Sequence, residues 1–141
     1  MHPTIGYSGY FLSRGYLTEL WAAMTQKAGF RPGTPWLVGL SAGGRGAIRV
    51  YNERPRAFVG LIGLSTAWSD RDIDALPREG VVRLVVGAED EAASKAVLEA
   101  MPGRVARRVA NFRNYAVPGG HLGLLFEPEA YDAALRAAVR E

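Results

Sequence analysis

Trp36-Leu37-Val38-Gly39-Leu40-Ser41-Ala42-Gly43-Gly44-Arg45-Gly46 decides how this chain folds. Its first five residues form a short unbroken apolar run, the pattern of a strand buried on both faces of a parallel sheet. Gly43 to Glu53 then has the length of a helix and is stopped by Pro55. A strand that turns at once into a helix through Gly39-Leu40-Ser41-Ala42-Gly43 has the form of a nucleophile elbow, in which the serine sits at unfavourable backbone angles with its hydroxyl exposed. Side chains two residues to either side would collide with such a turn. Gly39 and Gly43 remove that collision, and Gly44 and Gly46 let the helix pack close. With 17 glycines among 141 residues, G-x-S-x-G alone is a cheap match, and the strand and helix around it give it weight.

Working outward, Leu17 to Ala28 carries apolar residues at helical spacing, and Pro32-Gly33-Thr34-Pro35 makes a turn before the elbow strand. Ala57 to Leu64 is a second buried strand, Asp70 to Leu76 a helix with an acidic start, and Val81 to Val86 a third strand rich in β-branched residues. Glu91 to Ala100 reads as a helix ended by Pro102-Gly103, Asn111 to Val117 as a fourth strand, and Pro128 to Arg140 as a last helix. Strands alternating with helices predict an α/β fold: a three-layer sandwich around a short, mostly parallel sheet of about four to five strands. Residues 1–141 read as one domain.

A serine needs a base, and the two histidines are His2, near the start, and His121. His121 lies in Pro118-Gly119-Gly120-His121, directly after the fourth strand. Every loop that follows a strand of a parallel sheet opens at its carboxyl edge, so Ser41 and His121 are delivered to the same rim. The acid that orients the imidazole must sit there too. Asp90, after the third strand, is chosen over Glu89 and Glu91, because one or two residues are needed to clear the strand. Asp70, after the second strand, is the runner-up. Gly63-Leu64-Ser65-Thr66-Ala67 also follows a strand but runs into Trp68-Ser69-Asp70 rather than a helix, so Ser65 is not read as the nucleophile. The Ala42 amide and the helix start point at the developing oxyanion, with Tyr7 and Gly9 as candidates for a second donor. Leu40, Thr66 and Trp68 are candidates to line a substrate pocket.

Composition removes several other classes. With no cysteine there is no disulfide, thiolate metal site or cysteine nucleophile, and two histidines leave little for a metal centre. The reading calls for no cofactor. No apolar run is long enough to span a membrane, and the N-terminus lacks the form of a signal peptide, so a cytoplasmic location is expected. The charge of +3 is mild, and 15 of the 17 cations are arginine. Arg104, Arg107, Arg108 and Arg113 lack interleaved aromatic residues and read as a solvated flank rather than a nucleic-acid surface.

Ser41, Asp90 and His121 follow one another in the chain order of the α/β-hydrolase superfamily, which this sequence resembles from about Leu17 onward. Gly39 to Leu64 is similar to the elbow region of esterase D-like, feruloyl-esterase-like and dienelactone-hydrolase-like enzymes. The resemblance implies a serine hydrolase acting on small carboxylic esters or thioesters. Full members have about four strands before the elbow strand, whereas 40 residues precede Ser41, so a minimal, N-terminally truncated form is expected. The alternative is a weak or inactive hydrolase serving as a binding or assembly module. The resemblance also makes the elbow strand an apolar sheet edge, to be covered by Thr4 to Phe11 or by a second copy in a homodimer. Sedimentation at micromolar concentration is expected to show twice the monomer mass, and a stable monomer would exclude the dimer.

Overall fold

The computed structural model describes residues 34–91 and 95–141, together with Ala23 and Gln26. Apart from those two, the helix expected over Leu17 to Ala28 lies outside the described residues, as do Tyr7 and Gly9. The apolar runs form four strands: β1 (Trp36–Leu40), β2 (Gly60–Leu64), β3 (Val81–Gly87) and β4 (Asn111–Val117). They lie side by side in chain order, and every neighbouring pair is parallel. Between and after them come α1 (Ala42–Glu53), α2 (Asp70–Asp74), α3 (Lys95–Arg108), α4 (Gly123–Phe126) and α5 (Pro128–Arg140).

Alternation along the strands builds a core on each face of the sheet. Leu61, Val82 and Leu84 meet Ala47, Ile48 and Tyr51 of α1, Ile73 of α2, and Met101 and Val105 of α3. On the other face Ile62, Leu64, Val85 and Val117 meet Tyr131, Ala134 and Ala138 of α5. The result is the three-layer α/β sandwich. Each large aliphatic side chain so buried contributes about 1.5–3 kcal/mol; β2, buried along its whole length, and β3 both contribute to the two cores. Within the described residues β1 is an edge strand with Val38 and Leu40 exposed. No helix among these residues is long and apolar enough to cross a membrane.

Among the boundaries that differ from the sequence reading, two have a plain physical cause. β2 begins at Gly60 rather than Ala57, because Pro55 starts a short 3-10 turn over Pro55–Ala57. The helix expected to end at Ala100 runs instead to Arg108, straight through Pro102 and Gly103. Proline there removes one backbone hydrogen bond. Met101, Val105 and Val109 recur every four residues and are all buried, so core packing on this stripe holds the helix across the proline. Arg104 pairs with Asp70 and the Arg108 Nε–H donates to the Leu76 carbonyl at 2.7 Å, which places these cations on a helix flank.

Arg83, in the middle of β3, is fully buried. Its Nη1 donates to the carbonyls of Val82 (3.1 Å) and Asn111 (2.9 Å), and its guanidinium stands 6.0 Å from the Trp36 ring centroid. Among the described residues Nε and Nη2 have no partner, and burial pulls the pKa below the usual guanidinium range. Folding therefore disfavours the charged form, a cost present throughout the pH range in which arginine is protonated.

Candidate active site

All four strands point their carboxyl ends at one rim, and backbone hydrogen bonds extend the ladders one residue into the loops. The Ser41 N–H donates to the Leu64 carbonyl (2.9 Å), Ser65 N–H to Val85 (2.9 Å) and Ala88 N–H to Val117 (2.8 Å). The start of each loop is thus fixed to the neighbouring strand.

Ser41 caps α1 with φ 50° and ψ −121°, a conformation costing about 1–3 kcal/mol for a residue with a side chain. Its neighbours hold it there. Besides the bond to Leu64, its carbonyl accepts from the Gly44 N–H (3.0 Å) and the Thr66 hydroxyl (2.8 Å). The steric relief assigned to Gly43 falls elsewhere: a Cβ on Gly43 would meet nothing within 4 Å, whereas one on Gly39 would lie 2.6 Å from Gly44 Cα and one on Gly44 2.4 Å from Thr66 Oγ1. The helix reaches close to the elbow strand through residues 39 and 44, and position 43 faces open space.

The loops after β3 and β4 are tied to each other, with the Glu89 N–H donating to the Gly119 carbonyl at 3.1 Å. Gly119 has φ +94°, which suits glycine, and this bend carries the chain back toward the elbow. His121 Nδ1 lies 3.1 Å and 3.3 Å from the two carboxylate oxygens of Asp90, and Nε2 lies 2.8 Å from Ser41 Oγ. An ionised carboxylate only accepts, so Nδ1–H donates to Asp90. Nε2 is then left as the acceptor for the Ser41 hydroxyl. The Asp90 side chain is 1% exposed and that of His121 29%, so the acid is shielded while the imidazole edge and the serine reach a cavity. That cavity has a volume of about 130 Å³ and is lined by Ser41, Arg45, Ser65, Thr66, Ala67, Asp90, Leu98 and His121.

Ser41, Asp90, His121 and Thr66 are therefore brought together, and Ala42 begins α1 beside them. Its N–H is among the first four of a helix, which have no acceptor within it. Trp68, expected in a substrate pocket, belongs to the core instead: it is 3% exposed, packs under α1 and donates its Nε1–H to the Gly44 carbonyl at 2.9 Å. Leu40 does not line the cavity either. It alternates with Gly39 along β1, and its side chain is exposed on the sheet edge. Asp70 pairs with Arg104 rather than His121. Ser65 shares the positive φ of Ser41 (42°), but it is buried and its hydroxyl is hydrogen-bonded to that of Tyr131 at 3.1 Å. Sequence reasoning missed Arg45, Ala67 and Leu98 as lining residues. Arg45 was within reach of it, because it lies in the first turn of the helix that follows Ser41.

No protein-family model matches the chain, and no curated protein does. Solved structures do. A predicted CIB-like hydrolase from Thermoplasma acidophilum is 26% identical, with a TM-score of 0.54 over 67% of this chain and 44% of its own. The esterase Pf2001 of Pyrococcus furiosus reaches a TM-score of 0.70 at 11% identity, over 96% of this chain and 64% of its own. MGS-MChE2, an α/β hydrolase from a sediment metagenome of the Mar Chica lagoon in Morocco, reaches 0.67 at 18% identity, over 87% of this chain and 66% of its own. This chain thus spans between under half and about two thirds of the length of these proteins.

Proposed function

We propose that this chain, which has the α/β-hydrolase fold, is a serine hydrolase that cleaves small carboxylic esters or thioesters through an acyl-enzyme on Ser41. One observation carries the reading: an unbroken hydrogen-bonded line from Ser41 Oγ through the His121 imidazole to a buried Asp90, starting at a serine held at φ 50°. His121 Nε2 takes the hydroxyl proton as Ser41 Oγ attacks the acyl carbonyl. The Ala42 N–H, at the positive end of α1, binds the oxyanion. His121 then returns the proton to the departing alcohol or thiol. Water, deprotonated by the same imidazole, attacks the acyl-enzyme and releases the acid. Asp90 keeps Nδ1 protonated and stabilises the imidazolium that forms twice in the cycle.

A fluorophosphonate probe tests this directly. It is expected to label the protein once, at Ser41, with labelling lost in Ser41→Ala and in His121→Ala. An intact protein that takes no label would overturn the hydrolase reading in favour of the binding or assembly module.

A further inference from the structure

We infer that Arg45 makes the site selective for acyl groups that carry a second, anionic group, so that its substrates are monoesters of short dicarboxylic acids. The inference rests on the hydrolase reading for its chemistry and on Arg45 for its selectivity. Arg45 lies in the first turn of α1, and Ser41 precedes that helix as its N-cap. Both line the same cavity of about 130 Å³. Other arginines on this side of the sheet are occupied: Arg49, one turn further on, pairs with Asp72 at 3.3 Å, and Arg104 pairs with Asp70. Arg45 makes no ion pair or hydrogen bond among the described residues.

Among the described residues, the other charges lining the cavity leave that cation uncompensated. Asp90 is committed to His121, and the first turn of α1 holds no acidic residue. The helix terminus adds its own partial positive charge at the same place. A guanidinium presents a planar fork that matches a carboxylate, and from the wall of the cavity it shares with Ser41 it meets one lying a few bonds beyond the carbonyl that Ser41 attacks. An adjoining groove of about 700 Å³ shares Asp90 and Leu98 with the cavity and is lined by Glu89, Glu91 and Glu99. The Glu89 and Glu91 carboxylates disfavour an anion in that groove, so the substrate's anion is assigned to the Arg45 side of the cavity, in the acyl half.

Three probes separate the possibilities: monomethyl glutarate, with an anionic acyl group; methyl pentanoate, its neutral counterpart; and pentanoyloxyacetate, with the charge on the leaving group. The expected result is a kcat/KM ratio of monomethyl glutarate to methyl pentanoate that falls about tenfold or more in Arg45→Gln, as for loss of a charge-assisted hydrogen bond. An equal loss on both esters, or no preference in the unmodified protein, would overturn the inference while leaving the hydrolase reading intact. An Arg45-dependent preference for pentanoyloxyacetate would overturn the acyl assignment. Binding of monomethyl glutarate to Ser41→Ala protein, measured by calorimetry, decides the case in which no ester is turned over. Binding that weakens about tenfold when Arg45→Gln is added supports the anion site, with the hydrolase reading decided separately by fluorophosphonate labelling; binding indifferent to Arg45 overturns the anion site.

Discussion

His121→Ala is expected to lower kcat on a short-chain aryl ester by about 10⁴-fold or more, and Asp90→Asn by about 10⁴-fold. The two losses have different origins. Without the imidazole, nothing within reach of Ser41 Oγ takes its proton, because Nε2 at 2.8 Å is the one side-chain partner of that hydroxyl among the described residues. Asparagine at position 90 keeps the shape of the loop but can turn an amide N–H toward Nδ1. The imidazole then prefers the tautomer protonated at Nε2, which points a proton at a hydroxyl that must lose one. Since all three groups act as a unit, His121→Ala with Asp90→Asn is expected to be no slower than His121→Ala alone. Circular dichroism and the urea midpoint of His121→Ala are expected to stay close to those of the unmodified protein, since the imidazole is partly exposed and packs in neither core. Retention of more than a tenth of the activity in His121→Ala would remove the imidazole from the mechanism, and a double variant with multiplied losses would show that the two residues act independently.

The parts of this molecule legible from sequence are those in which a local pattern and the global fold make the same demand. Trp36 to Leu40, Ala57 to Leu64 and Val81 to Val86 read as buried parallel strands because apolar residues occupy both faces of each, and parallel strands joined by helices deliver their following loops to one rim. From that rule alone Ser41, Asp90 and His121 share an edge. What the rule does not contain is the packing of non-local side chains. Pro102 and Gly103 are helix breakers by local propensity, and they are overridden by the contact of Met101 and Val105 with the sheet. Trp68 follows a strand at the functional rim, yet its indole turns inward because the Gly44 carbonyl offers its N–H a partner and the space under α1 accepts its ring. Arg83 breaks the apolar pattern of β3 and still lies inside, held by two carbonyls and the Trp36 ring, which are contacts with no signature in the sequence.

The elbow glycines give the sharpest contrast between motif and structure, because G-x-S-x-G weights residues 39 and 43 equally and the packing does not. Gly39→Ala would set a methyl group 2.6 Å from Gly44 Cα, 2.7 Å from Ala47 Cβ and 2.7 Å from the Gly43 carbonyl oxygen. Two of these are backbone atoms, so relief requires α1 to move off β1. Gly44→Ala would meet Thr66 at 2.4 Å and 2.5 Å, and Thr66 cannot swing aside without giving up its 2.8 Å bond to the Ser41 carbonyl. Overpacking of this kind costs about 1–3 kcal/mol, and a shift of even 1 Å at the nucleophile costs about 10²-fold in rate. Both variants are therefore expected to have a lowered urea midpoint and a fluorophosphonate labelling rate reduced about 10²-fold. Gly43→Ala places its methyl group in open space in the first turn of α1, where alanine forms helix more readily than glycine by up to about 1 kcal/mol. It is expected to match or exceed the stability of the unmodified protein and to label within a few-fold of its rate. A Gly43→Ala variant as damaged as Gly39→Ala would mean that the motif glycine is needed for the transition state rather than for packing, and that the space beside it is filled when substrate binds.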